Sequence, residues 1–277
     1  MLEKDFFKFY NHSDAYFELA EPGHRQGDIF PIHRQILNEC RNKKGLIIDL
    51  GCGTGLDVLA MLGNNNHCLG LDISGIAVKK AMARIEELKI KNIDFKQADL
   101  GHLPLADNSV DVITSFYTFE HLVSPEKVLL EIDRVLKPNG EVFILCPNFS
   151  SPFRGAPVFG GIRKIRILKK MLLSLGRFFN VNILMDKGFK IKMIDSSLIN
   201  LPADSTGKFK IGYDWDAANE PSLLEFVNYF KNRDYLVSFE SWLTPPKTKI
   251  ESFFTNFKVL PIIKYWGPIC YVHARKR

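Results

Sequence analysis

Short apolar runs alternate with segments of helical period through residues 46–146. Residues 46–50 (LIIDL), 69–73 (LGLDI), 93–98, 110–116 (VDVITSF) and 141–146 (EVFILC) are apolar runs bounded by turn residues, the pattern of strands buried on both faces. Helical spacing occupies the intervals. Ile29, Ile32, Ile36 and Leu37 precede the first strand, and residues 56–62 follow it and stop at Gly63 before an Asn64–Asn66 loop. Ser74 stands where it can cap a helix carrying Ile76, Val78, Ala81, Met82, Ile85 and Leu88 on one face. Ser124-Pro125 opens another, with Val128, Leu129, Ile132, Val135 and Leu136, and Pro138-Asn139-Gly140 then reads as a turn. Such alternation predicts a parallel sheet covered by helices on both faces.

The pattern breaks after Pro147. Residues 148–213 read as loop around one basic apolar stretch, and the alternation resumes with a helix at 222–230 and strands at 235–242 and 269–274. The expected organisation is a single domain over 1–277. It comprises an N-terminal cover (1–27, a short helix and loop), a core (28–147), an insertion (148–213) and a C-terminal completion of the sheet (214–277).

Composition changes this picture little. Of the 277 residues, 46% are hydrophobic and 25% charged, enough for a large core and unlike a disordered chain. No apolar run approaches the ~18–20 residues needed to span a bilayer, and the N-terminal residues do not read as a secretory leader, so the expected compartment is the cytoplasm. Five scattered cysteines without a Cys-x-x-Cys pair predict buried thiols rather than a disulfide framework or a metal site. Charge matters more. The net +6 is concentrated between Glu141 and Asp186, where Arg154, Arg163, Lys164, Arg166, Lys169, Lys170 and Arg177 face no acid in the sequence. A basic footprint so local argues against general nucleic-acid binding.

Residues 46–55 (LIIDLGCGTG) are the most informative. Gly51 permits a tight turn after a strand, Gly53 lets a ligand touch the backbone, and amides at the following helix start can face an electron-rich group. Asp72 ends the next strand nineteen residues beyond Gly53, where a carboxylate can accept two hydrogen bonds from a ribose diol. A nicotinamide loop would read Gly-x-Gly-x-x-Gly, but Leu56 occupies its third glycine position, and Asp49 would repel a pyrophosphate. Asp49 suits a cationic group such as an amino-acid ammonium.

With these residues the chain resembles the class I S-adenosylmethionine-dependent methyltransferases of the broad small-molecule group. Asp49-x-Gly51-x-Gly53-x-Gly55 matches the family's first motif and Asp72 its ribose-holding acid. Asp99 in QADLGHLPL matches the acid beside the adenine, while 107–122 (DNSVDVITSFYTFEHL) and 131–145 match the fourth- and fifth-strand blocks. The resemblance implies a doubly wound, Rossmann-like α/β fold: a seven-stranded, mostly parallel sheet with an antiparallel last strand and an insertion before the final helix and strand pair. It implies S-adenosylmethionine as cofactor, held by Asp49, Gly51, Cys52, Gly53, Gly55, Asp72, Ile73, Asp99, Leu100 and Ser115.

Methyl transfer from a sulfonium mainly requires positioning, and a base only where the nucleophile must lose a proton. His121, after the fourth strand, is the expected base, with Tyr117, Glu120 and Asp214 as acceptor-side residues and no metal ligand set. Ser115-Phe116-Tyr117-Thr118 stands where base-amino methylating relatives carry Asn-Pro-Pro-Tyr, so no nucleic-acid substrate is expected. Residues 162–179 (IRKIRILKKMLLSLGRFF) read as a basic amphipathic helix. It is expected to cap the acceptor site, or alternatively to meet an anionic substrate tail or the inner membrane face. The expected function is methylation, at oxygen, of a small-molecule or glycan/lipid-linked acceptor. The alternatives are a non-catalytic cofactor-binding docking module and a nicotinamide-dependent oxidoreductase. The sequence leaves the oligomeric state open.

Overall fold

A computed structural model describes residues 2–12, 31–154, 156–158, 161–163, 167–184, 192–193 and 216–277. Seven strands form one sheet: β1 (Gly45–Leu50), β2 (Asn66–Asp72), β3 (Ile93–Gln97), β4 (Val110–Phe116), β5 (Leu136–Pro147), β10 (Tyr235–Glu240) and β11 (Ile269–Lys276). Their order is β10-β11-β5-β4-β1-β2-β3, with β11 antiparallel to both neighbours and the other pairings parallel. This is the expected α/β architecture.

Alternate strand residues divide between two apolar layers, as the period of two requires. Ile48, Ile113, Ile144 and Val272 face α5 (Pro125–Val135) and α7 (Leu223–Lys231). Ile47, Val112, Phe143 and Leu145 face α2 (Pro31–Arg41), α3 (Leu56–Met61) and α4 (Gly75–Glu87). Ser74 caps α4, its hydroxyl accepting the Ala77 amide at 3.2 Å. All five cysteines are buried thiols.

Several expected boundaries move. β2 begins at Asn66 rather than after an Asn loop. The Asn66 amide is buried but satisfied, donating to the Cys40 and Met61 carbonyls and accepting from the Gly63 amide. Pro138-Asn139-Gly140 is taken up within β5 as an irregularity in its pairing with β4, with Asn139 at φ 65°.

The insertion contains hairpin strands β6 (Ala156–Val158) and β7 (Gly161–Arg163), then α6 (Ile167–Leu184). The helix expected over 162–179 therefore starts five residues later, because residues up to Arg163 pair as strand. β8 (Lys192–Met193) pairs with β9 (Asn219–Glu220), and α8 (Lys249–Thr255) lies between β10 and β11. At the N-terminus, the expected short helix is α1 (Leu2–His12).

Lys43 and His273 both contact the Glu141 carboxylate at 2.8 Å, and Lys43 also reaches Glu39 at 3.1 Å. The cluster ties β5 and β11 to the end of α2.

Candidate active site

At the carboxyl end of β1 the chain turns sharply through Gly51, Gly53 and Gly55, all at positive φ. The Gly51 and Cys52 amides donate to the Leu71 carbonyl, at 2.8 and 3.1 Å, so the turn is anchored on β2. A Cβ at Gly51 would collide with Thr118, and one at Gly55 with Phe95. At Gly53 it would meet nothing within 4 Å.

That open face borders a cavity of about 1000 Å³ at the carboxyl edge of the sheet. Among the expected residues, Asp49, Gly51, Cys52, Gly53, Asp72, Ile73, Asp99, Leu100, Tyr117 and His121 line it. Three do not. Gly55 is the left-handed cap of α3, packed on Phe95. Ser115 is buried, its hydroxyl donating to the Leu50 carbonyl at 3.2 Å. Glu120 is buried behind the wall, its carbonyl accepting the Ala218 amide. Neighbours of Ser115 and Glu120 face the site: Thr114 donates to Asp49, and His121 lines the cavity with its Nε2 3.9 Å from Glu120 Oε1. Asp214 lies outside the described residues.

Two carboxylates dominate the wall. Asp49 is buried, and Thr114 donates to its Oδ1 at 2.7 Å. Burial, with the negative charges of Asp57 and Asp72 nearby, pushes its carboxyl up to about 8 despite that hydrogen bond. Asp72 accepts the Gly53 amide at Oδ2 and the Ser74 amide at Oδ1, both at 2.8 Å. Burial still raises its pKa, against those donors. With its Ser74, Gly53 and Ile73 backbone donors counted, the carboxylate still has lone-pair capacity for a ligand. Asp99 is exposed at the rim, accepting the Gly101 amide at 2.8 Å. The Cys52 thiol is driven far up by burial, away from nucleophile chemistry.

Tyr117 follows β4 and is held at φ 53°, a strained conformation for an aromatic residue. The Phe119–His121 turn follows and points His121 at the cavity. His121 Nδ1 lies 3.2 Å from Asp216 Oδ2, and Tyr10 donates to that same oxygen at 2.6 Å.

The sequence expected a cover helix at the N-terminus but assigned none of its residues to the site; α1 contributes Phe6, Phe7 and Tyr10 to the cavity lining. Asn11 fastens it, accepting the Gly75 amide at 2.8 Å and donating to the Ile73 carbonyl at 3.2 Å. The sequence signal available was only the aromatic density of residues 6–10. Asp57 was missed too; it lines the cavity 3.3 Å from His33, whose ring packs on Phe116.

The donor set fits a nucleoside ligand with a cationic end. A glycine turn leaves room at Gly53, one carboxylate with free lone pairs stands beside it, and a second has no cation among its described polar contacts.

Comparison with known proteins agrees. A family model described as a methyltransferase domain matches residues 41–168. The chain is 38% identical over 109 residues to a demethylmenaquinone methyltransferase of Lactococcus lactis, covering 38% of this chain and 42% of that protein. It is 31% identical over 110 residues to an arsenite methyltransferase of Halobacterium salinarum, covering 39% of this chain and 28% of that protein. The chain thus spans less than half the length of these curated relatives. The fold matches a candidate S-adenosylmethionine-dependent methyltransferase of Listeria monocytogenes at a TM-score of 0.53 and 13% identity, covering 88% of this chain and 97% of that one.

Proposed function

We propose that the chain is a class I S-adenosylmethionine-dependent methyltransferase, on the match of residues 41–168 to a methyltransferase-domain model, and that it methylates an oxygen of a small-molecule or glycan/lipid-linked acceptor. The observation that carries the cofactor reading is the pairing of Asp49 and Asp72 on one wall, with the open face of Gly53 beside them. When bound, S-adenosylmethionine supplies an electrophilic methyl group on a sulfonium.

The chain's own residues do the rest. Asp49 would hold the ammonium of the cofactor's amino-acid end and Asp72 the ribose hydroxyls. Asp99 and Leu100 would border the adenine. α1 covers the cavity and limits water, which strengthens the polar contacts beneath it. His121 takes the acceptor hydroxyl proton at Nε2, while Asp216 holds the opposite nitrogen. Tyr117 bounds the acceptor side. Relatives matched over this domain are named for demethylmenaquinone and for arsenite, chemically distant acceptors, which supports a share in acceptor choice for the parts of the chain outside the match.

The test is a thermal shift with S-adenosylmethionine, S-adenosylhomocysteine and NADH in parallel. A ligand at 100 times its dissociation constant stabilises by ~2.7 kcal/mol, a readable shift. Stabilisation by the first two and not by NADH is expected. Stabilisation by NADH alone, or by none, would overturn the cofactor assignment.

A further inference from the structure

Outside the cavity, two segments display large apolar side chains to solvent. On α6, Leu168, Leu172, Leu173 and Phe179 are 56–69% exposed. In α8 and the residues after it, Ile250, Phe253, Phe257, Val259 and Leu260 are 41–82% exposed. Scattered apolar side chains are ordinary on a protein surface, but a contiguous patch of this kind marks an interaction site.

Both segments stand on one foundation. Met171 and Leu175 of α6 and Phe254 of α8 pack on the same cluster of Trp242, Ile263 and Trp266, joined by Phe153. Topology fixes where that foundation lies. Ile269 opens β11 opposite Pro147, the last residue of β5, so residues 241–268 bridge β10 and β11 at the carboxyl edge of the sheet. The cavity opens on that edge as well.

Charge selects the partner. The sequence of α6 contains Lys169, Lys170 and Arg177 and no acid. Lys247, Lys249 and Lys258 are exposed around α8. The acid in that segment, Glu251, is buried and accepts the Lys247 amide at 2.8 Å. A second copy of the chain would set these lysines against their equivalents. Protein interface cores, moreover, are depleted in lysine. Exposed apolar side chains in segments rich in lysine and free of exposed acids match the boundary between acyl chains and anionic headgroups.

We propose that α6 and the 247–264 segment together form a docking surface for an anionic lipid bilayer. Leu, Ile, Val and Phe side chains enter the acyl boundary and the lysines lie at headgroup level. No described helix is long and apolar enough to cross a membrane, so the contact is peripheral.

The full chain is tested by flotation with vesicles of phosphatidylcholine alone and of an equal mixture with phosphatidylglycerol. Recovery with the mixed vesicles and its loss at high salt are expected. Two double variants, Phe253→Ser with Val259→Ser and Lys249→Glu with Lys258→Glu, should each lower the partition coefficient by about tenfold or more. Leu172→Ser with Leu173→Ser should do the same, because α6 shares the surface. All these residues are exposed or helical, and an unchanged melting temperature verifies that each variant folds. The proposal is overturned if the native chain stays unbound, if neutral vesicles bind it equally, or if the variants bind unchanged. Concentration-dependent dimerisation that the apolar variants abolish, without lipid binding, would assign the surface to a second copy instead.

Discussion

His121 Nδ1 and Asp216 Oδ2 meet at 3.2 Å across ninety-five residues of chain, and Tyr10 donates to the same carboxylate oxygen from the opposite end of the sequence. Three segments thus converge on one imidazole. A carboxylate at Nδ1 keeps the proton on that nitrogen and leaves the Nε2 lone pair for a substrate proton. Nitrogen-15 imidazole spectra should therefore show His121 in the Nδ1–H form in the native protein and a tautomer mixture in Asp216→Asn. Once an acceptor is in hand, His121→Gln should lower kcat by about 100-fold or more. Asp216→Asn should cost less, and Tyr10→Phe least, with S-adenosylhomocysteine affinity nearly unchanged in His121→Gln. Native kcat in His121→Gln would remove the base from the mechanism.

Asp49 makes ligand binding a proton-linked event. Its carboxyl titrates at about 8 in the folded protein, chiefly because it is buried, against 3.8 as its ordinary value. The folded state therefore holds a proton that the unfolded chain has lost. The stability from this group is complete below pH ~4 and is lost as pH rises towards 8, at no more than ~1.4 kcal/mol per pH unit. Asp49→Asn keeps an acceptor for Thr114 and removes the dependence, so its melting-temperature advantage over the native protein should widen from about pH 5 to about pH 8. A cationic ligand group on Asp49 favours the carboxylate. Calorimetry near pH 7 in buffers of different ionisation enthalpy should find about one proton released on binding S-adenosylmethionine. Zero release or net uptake would place the cationic end elsewhere.

The same contrast of near and far contacts explains what the sequence discloses. Asp49, Gly51, Gly53 and Asp72 are legible because a strand end and its following turn are local features, and local spacing sets their geometry. Strands β1, β4 and β5 are legible because both faces are buried over most of their length, so each reads as an apolar run. Ser115 was expected at the cofactor, yet the side chain that reaches Asp49 is Thr114, one position away on the opposite face of β4. An apolar run conceals which face each residue takes. Asp216, Tyr10 and Asn11 act through contacts 62 to 206 residues distant, and no periodicity encodes those. The β6–β7 hairpin has strands of three residues, too short to interrupt the helical period read across 162–179.

Glu141 gives the fold a separate acid limb. Hydrogen bonds from His273 and then Lys43 pull its carboxyl down to about 2 from an ordinary 4.5, against the effect of partial burial. Its contribution is present above pH ~4.5 and is lost as pH falls through 2. Glu141→Gln should lower the melting temperature at neutral pH, and the gap to the native protein should close as the pH approaches 2. A gap that stays constant with pH would mean that packing rather than charge is lost.

Gly53 and Gly51 differ by two positions and should fail in different ways. Both have positive φ, 51° and 78°, where a side chain costs about 1–2 kcal/mol. At Gly51 the added methyl also strikes Thr118, whose hydroxyl donates to the Leu50 carbonyl at 3.1 Å, so Gly51→Ala must displace the β4 exit and should unfold at distinctly lower temperature. At Gly53 the methyl meets no protein atom within 4 Å and projects at the cavity. Gly53→Ala should fold with a small loss of stability and lose the thermal shift from S-adenosylmethionine. Gly176→Ala, with equally open surroundings but on α6, is the control. It should gain about 0.5–1 kcal/mol from helix propensity and keep the full shift. A Gly53→Ala protein that still responds to the cofactor would show that the ligand does not pass over this turn. Loss of response in Gly176→Ala would place α6 in the cofactor site.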